Sequence, residues 1–232
     1  MPISVMVVKT KSFYKNGLNL GGQEQLIGND GLGLSEGEGH LFLDPTDKQL
    51  GIDDCVFDVY TVDYDHRYET KGFVFDRQFD YYFKNYKFRI YHEASKNLLI
   101  LAVKKEIAKA FLKEISKEKV RSQKLYDFDY LKIDFDKIVS KAENLSGLWA
   151  QVNRTEVQTQ AYFGENINLD DEVKLVLKEK DASYALFDST IGNNYQKIGI
   201  TKEGNIVIYE DHSEDQQLIT NIYKIYKIFL ED

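Results

Sequence analysis

The chain has 232 residues and a mass of 27.0 kDa, enough for one large domain or two small ones with separate cores. Hydrophobic residues at 43%, with 14 Phe and 16 Tyr against two Pro, exclude a disordered chain, because each buried aromatic contributes a large apolar area. A net charge of −8 excludes a uniformly basic surface, so any contact with polyanions needs a local basic patch.

The opening run ISVMVVK, Ile3 to Lys9, reads as a first strand. It is too short for a membrane span and lacks the basic flank of a signal sequence. A single cysteine, Cys55, leaves no intrachain disulfide, and a cytoplasmic location is expected. Next comes NGLNLGGQEQLIGNDGLGLSEGEGH, residues 16–40, which holds eight of the 15 glycines. It has no G-K-[ST], and the spacing of Gly28, Gly31 and Gly33 reverses the dinucleotide fingerprint. Glu24, Asp30, Glu36 and Glu38 would repel a phosphate, so a mobile loop is expected, with ordering by a partner as the alternative.

Strands are expected over Cys55 to Val62, Tyr86 to His92 and Leu98 to Val103, the last two joined by a turn at Ser95-Lys96-Asn97. Cys55 lies among apolar residues and reads as a buried, inert thiol. The stretch VDYDHRYE collects Asp63, Asp65, His66 and Glu69; on a strand Asp63 and Asp65 share one face and His66 takes the other, as on a solvated edge. His40, His92 and His212 lie far apart without ligand spacing. KKEIAKAFLKEISKEK then lines Ile107, Phe111 and Ile115 along one helical face, opposite a face of Lys and Glu.

Charge is segregated around this region. From Tyr81 to Lys124 there are twelve basic residues and four acids, a balance of 12 − 4 = +8 that leaves −8 − 8 = −16 for the remainder. The run YYFKNYKFRIYH interleaves aromatics with the charges. Lys and Arg neutralise phosphates, and exposed rings stack on unpaired bases. The candidate nucleic-acid contacts are Lys84, Lys87, Arg89, Lys104, Lys105, Lys109, Lys113, Lys117 and Arg121, with Tyr82 and Tyr86 as stacking rings. The competing reading makes the aromatics sheet core and the lysines a solvated helix face.

The charged segment SKEKVRSQK marks a boundary, dividing the chain into residues 1–123 and 124–232. Beyond it, YDFDYLKIDFDKIVSKAEN reads as a strand and a helix begun by Asp134. Hairpins are expected over Leu148 to Phe163, over Val173 to Phe187, and in KIGITKEGNIVIYED about Glu203-Gly204-Asn205. Ser213 and Gln216 form a capping box for the last helix. Apolar residues cover more than one side of that helix, and Ile222, Tyr226 and Phe229 are the candidate face for a protein partner or self-association. Glu172-Val173-Lys174 matches the E-x-K of metal-dependent nucleases, a tripeptide expected by chance in so Glu- and Lys-rich a chain.

The expected fold class is α+β: two subdomains, each an antiparallel sheet of hairpins with a packed helix. The expected function is a non-enzymatic binding protein that contacts nucleic acid through residues 81–124 and acts with a protein partner, without cofactor, metal or membrane. Lysine supplies 30 − 5 = 25 of the basic residues, which suggests an A+T-rich bacterial or phage gene and a setting in a mobile element or antiphage defence system. The alternatives are an acidic protein-interaction module, such as an inhibitor or immunity protein, and a metal-dependent nuclease.

Overall fold

The computed structural model describes residues 2–21, 27–28, 39–74, 77–120, 122–152, 157–210 and 214–231. The fold is α+β and the strand pairs of known register are antiparallel. The chain forms two compact units, one of residues 10–128 and the other of residues 1–9 with 129–232. The sequence reading places Ile3 to Lys9 with the first half. Those residues instead belong with the second, because Ile3 to Met6 pair antiparallel with Ile208 to Asn205.

In the 10–128 unit the strands are the end of β1 (Ile3–Phe13), β2 (Leu18–Leu20), β3 (Ile27–Gly28), β4 (Leu41–Ile52), β5 (Cys55–Val74), β6 (Arg77–Glu93) and β7 (Leu98–Leu101). They run in the order β1-β7-β6-β5-β4-β2, with β3 on β6. Helix α1 (Lys105–Ile115) follows, then the short pair β8 (Lys119–Val120) and β9 (Gln123–Lys124), and β10 (Tyr126–Tyr130), which pairs with β1. Strands β5 and β6 run far beyond the stretches legible as strand, at 20 and 17 residues, because aromatic and β-branched residues continue the alternation. The turn after β6 is locked by buried Glu93, whose carboxylate accepts from Ser95 N, Ser95 Oγ and Lys96 N, while Asn97 takes the left-handed conformation at φ 52°. Cys55 is buried. Most of the glycine-rich segment lies outside the described residues; Ile27 and Gly28 pair with Tyr82 and Tyr81.

The other unit holds α2 (Phe135–Lys141), β11 (Asn144–Gln151), β12 (Thr159–Phe163), α3 (Asp171–Glu179), β13 (Ala182–Ile191), β14 (Asn194–Thr201), β15 (Asn205–Ile208) and α4 (Asp215–Ile225), which runs on as a wider turn to Leu230. Its strand order is β12-β11-β13-β14-β15-β1. The Val173 to Phe187 hairpin is corrected: residues 171–179 are helix α3, set by Asp170, whose side chain accepts from Glu172 N and Val173 N. Ser213 of the expected capping box lies outside the described residues. Buried Gln196 on β14 and Asn221 on α4 exchange two amide hydrogen bonds, of 3.1 and 2.6 Å, and fix that helix to the sheet.

Candidate nucleic-acid interface

The register of β5 and β6 sorts the expected contacts onto two faces. Tyr64 lies across from Tyr86, His66 from Lys84 and Tyr68 from Tyr82, while Asp63 faces Lys87, Asp65 faces Asn85 and Thr61 faces Arg89. Directly opposed residues share a face, and neighbours in sequence take opposite ones. Lys84, Tyr82 and Tyr86 are therefore together, and Lys87 and Arg89 are on the reverse.

Helix α1 covers the inner part of the tyrosine face, with Phe111 5.8 Å from Tyr64 and 5.4 Å from Phe88 by ring centroids. Past the helix, His66, Tyr68, Tyr82 and Tyr86 are half-buried and Lys84 is exposed. Tyr68 and Tyr82 stack at 5.1 Å and 13°, the Tyr68 and Tyr86 hydroxyls are 2.6 Å apart, and His66 stands edge-on to Tyr68 at 4.6 Å. Lys84 Nζ lies 5.4 Å from the Tyr86 ring centroid. Burial pushes the Tyr68 hydroxyl pKa up, helped by the bond to Tyr86, while the charges of Lys84 and Lys104 pull it back. Lys84 thus sits against the tyrosine cluster, and the charge of Lys104, from the start of α1, also acts on Tyr68. Burial pushes the His66 pKa down.

Lys105, Lys109 and Lys113 recur every four residues on α1, away from its buried stripe of Ile107, Ala108, Phe111, Leu112 and Ile115. Lys104 and Lys113 are exposed and Lys105 and Lys109 half-exposed. Lys117 is tied to Glu114 at 2.6 Å. On the reverse of the sheet Lys87 is tied to Asp63 at 3.1 Å, and Arg89 is exposed. Arg121 lies outside the described residues. The expected docking face of the last helix is corrected: Ile222, Tyr226 and Phe229 are 0%, 1% and 2% exposed, with Phe229 packed edge-on to Phe187 at 4.9 Å, so they are core of their own unit.

A polar network of His40, Asp63, Asp65 and Asn85 sits on the reverse face. The His40 ring bridges two carboxylates, with Nε2 2.9 Å from Asp63 and Nδ1 2.7 Å from Asp65. Asn85 donates to both, at 2.6 and 3.0 Å. Burial pushes the Asp63 pKa up, but bonds from Asn85, His40 and Lys87 and the Lys87 charge prevail and hold it at about 2. His40 and Asp65 wall a cavity of about 590 Å3, with Tyr64, Arg67 and Phe83. The pairing of Asp63 with Asp65 was legible from strand alternation; His40 was not, being 25 residues before Asp65.

Among the described residues no group of three or more His, Cys, Asp or Glu is arranged to hold a metal ion. Glu172 and Lys174 sit in the exposed first turn of α3, with Lys174 paired to Asp171 at 2.9 Å, and not on the strand that the nuclease motif requires. No helix among the described residues is long and apolar enough to cross a membrane. Scans against protein-family models, curated proteins and solved structures find no match.

Proposed function

We propose that this chain is a nucleic-acid-binding protein that takes unpaired bases on the Tyr68, Tyr82 and Tyr86 cluster and phosphates on Lys84, Lys104 and the lysine stripe of α1. The observation that carries this reading is a half-exposed tyrosine stack with Lys84 of β6 against its Tyr86 ring, beside a helix whose exposed face is lined with lysines. Rings supply sequence-tolerant stacking and cations release counterions, the combination that single-strand binders use.

Fluorescence anisotropy of labelled single- and double-stranded DNA and RNA tests it. Affinity is expected to fall by one or more orders of magnitude between about 50 and about 200 mM salt. Lys84→Gln with Lys104→Gln flattens the salt dependence by roughly 1.4 in log–log slope, at about 0.7 per single-strand phosphate contact. Lys87→Gln with Arg89→Gln, on the reverse face, leaves affinity within about twofold. Equal losses from both pairs would sink the assignment to this face.

A second reading rests on charge. Residues 1–9 and 129–232 carry 12 Lys and Arg against 19 Asp and Glu, a balance of 12 − 19 = −7. That surplus suits a basic protein partner, whose encounter it would accelerate. Stoichiometric co-purification of one basic protein, with no retention on any nucleic acid, favours this reading over the first.

A further inference from the structure

We propose that β12 is the edge through which two copies of this chain join, strand against strand about a twofold axis at Ala161. Strand β12 ends the sheet of its unit, bonded on one side to β11; among the described residues no strand pairs with its other side. Folded proteins guard such an edge with Lys, Pro, a bulge or a covering segment, because it is a template for another strand. Thr159–Phe163 reads TQAYF, without a charge or a proline, and pairs with β11 in unbroken register.

The occupant that fits best is a second copy. An antiparallel edge is self-complementary, since a twofold axis normal to the sheet maps it onto itself with the strand direction reversed. The unit is acidic, at 12 − 19 = −7, yet its edge strand is uncharged, so two copies meet here without like charges across the axis.

The side chains favour one register. Trp149 lies across from Ala161, so Thr159, Ala161 and Phe163 share the Trp149 face, and all three are exposed. On that face Phe163 stands edge-on to Trp149 at 4.8 Å, and Tyr184 does the same on the other side at 4.9 Å. Phe163, 65% exposed, closes this aromatic row at the rim of the sheet. With Ala161 on the axis, Phe163 of each copy lies across from Thr159 of the other and beside its Ala161, two short side chains that leave room for the ring. The two aromatic rows then become one continuous face.

A five-residue strand is about 17 Å long, so the buried area falls below the ~1,200 Å2 of stable complexes, and the dimer is expected in the micromolar range or weaker. Sedimentation equilibrium from micromolar to about millimolar chain is the test. Wild type is expected to pass from monomer to dimer. Ala161→Lys and Ala161→Glu each place like charges together at the axis and should stay monomeric, and circular dichroism should show both folded, because Ala161 is exposed. Mixing the two variants should restore the dimer by pairing Lys with Glu. A wild type that stays monomeric, variants that dimerise as wild type does, or a mixture that stays monomeric each overturns the proposal.

Discussion

His92 is 4% exposed and stacks on Phe13 at 4.3 Å, and its Nδ1 is buried without a hydrogen-bond partner among the described residues. Burial, and secondarily the Lys15 charge, push its pKa down to about 4, against the pull of Asp58 and Glu93. The folded protein therefore keeps this ring neutral where the unfolded chain, at 6.5, takes up a proton. Stability is complete above pH 6.5 and falls as pH drops towards 4, by an amount on the order of 3 kcal/mol. His66, also lowered by burial, acts in the same sense. Asp63, lowered from 3.8 to about 2, acts in a separate window: its contribution is complete above 3.8 and is lost between there and about 2. Urea midpoints measured from about pH 7 to about pH 4 should fall steeply in wild type and less in His92→Gln. A substitution that leaves the slope unchanged would remove His92 as its source. At neutral pH, His40→Ala should cost about 2 kcal/mol, because Asp65 stays buried after losing its bond to the ring.

At the scale of the element, alternation carried much of what the sequence disclosed. Tyr82, Lys84 and Tyr86 have even numbers and Lys87 and Arg89 odd ones, so a period of two already separates them into the faces that the β5–β6 register shows. Grouping them by proximity in sequence overlooked that signal. Helix α3 was lost for the opposite reason. Val173, Leu175 and Leu177 alternate like a strand, but Leu175 is 52% exposed and the buried set is Val173, Val176 and Leu177, at helical spacing. The deciding residue is Asp170, whose carboxylate takes the Glu172 and Val173 amides, as Asp134 takes those of Asp136 and Lys137 before α2. Asp134 was legible because its helix has no competing strand pattern. Asp170→Ala and Asp134→Ala should each lower stability by about 1 kcal/mol, read as a shift in urea midpoint, whereas Asp136→Ala, whose side chain caps nothing, should shift it by less than about 0.5 kcal/mol. The turn before β15 is more demanding. Gly204 has φ 82°, and a Cβ there would lie 2.8 Å from the carbonyl oxygen of Val7, so Gly204→Ala should cost about 1–3 kcal/mol.

For the whole molecule the consequence is two compact units in one chain, residues 10–128 and residues 1–9 with 129–232, and each includes part of β1. Local sequence signals located most strands and helices within each half. They could not assign Ile3 to Lys9, because that depends on pairing with Ile208 to Asn205, some two hundred residues away. The same division makes unfolding separable by probe. The only tryptophan, Trp149, lies in the 129–232 part, whereas His92, His66 and Asp63, whose pKa shifts make the fold acid-sensitive, all lie in the 10–128 unit. Near pH 7, tryptophan fluorescence and far-ultraviolet circular dichroism should give urea transitions close to each other. Near pH 4.5 the His92 contribution is mostly withdrawn, and the dichroism curve should broaden or split towards low urea, with the Trp149 transition shifting little. His92→Gln should bring the two curves back together at the lower pH. If both probes instead move together as pH falls, protonation in one unit destabilises the other equally, and the chain unfolds as one cooperative block despite its two cores.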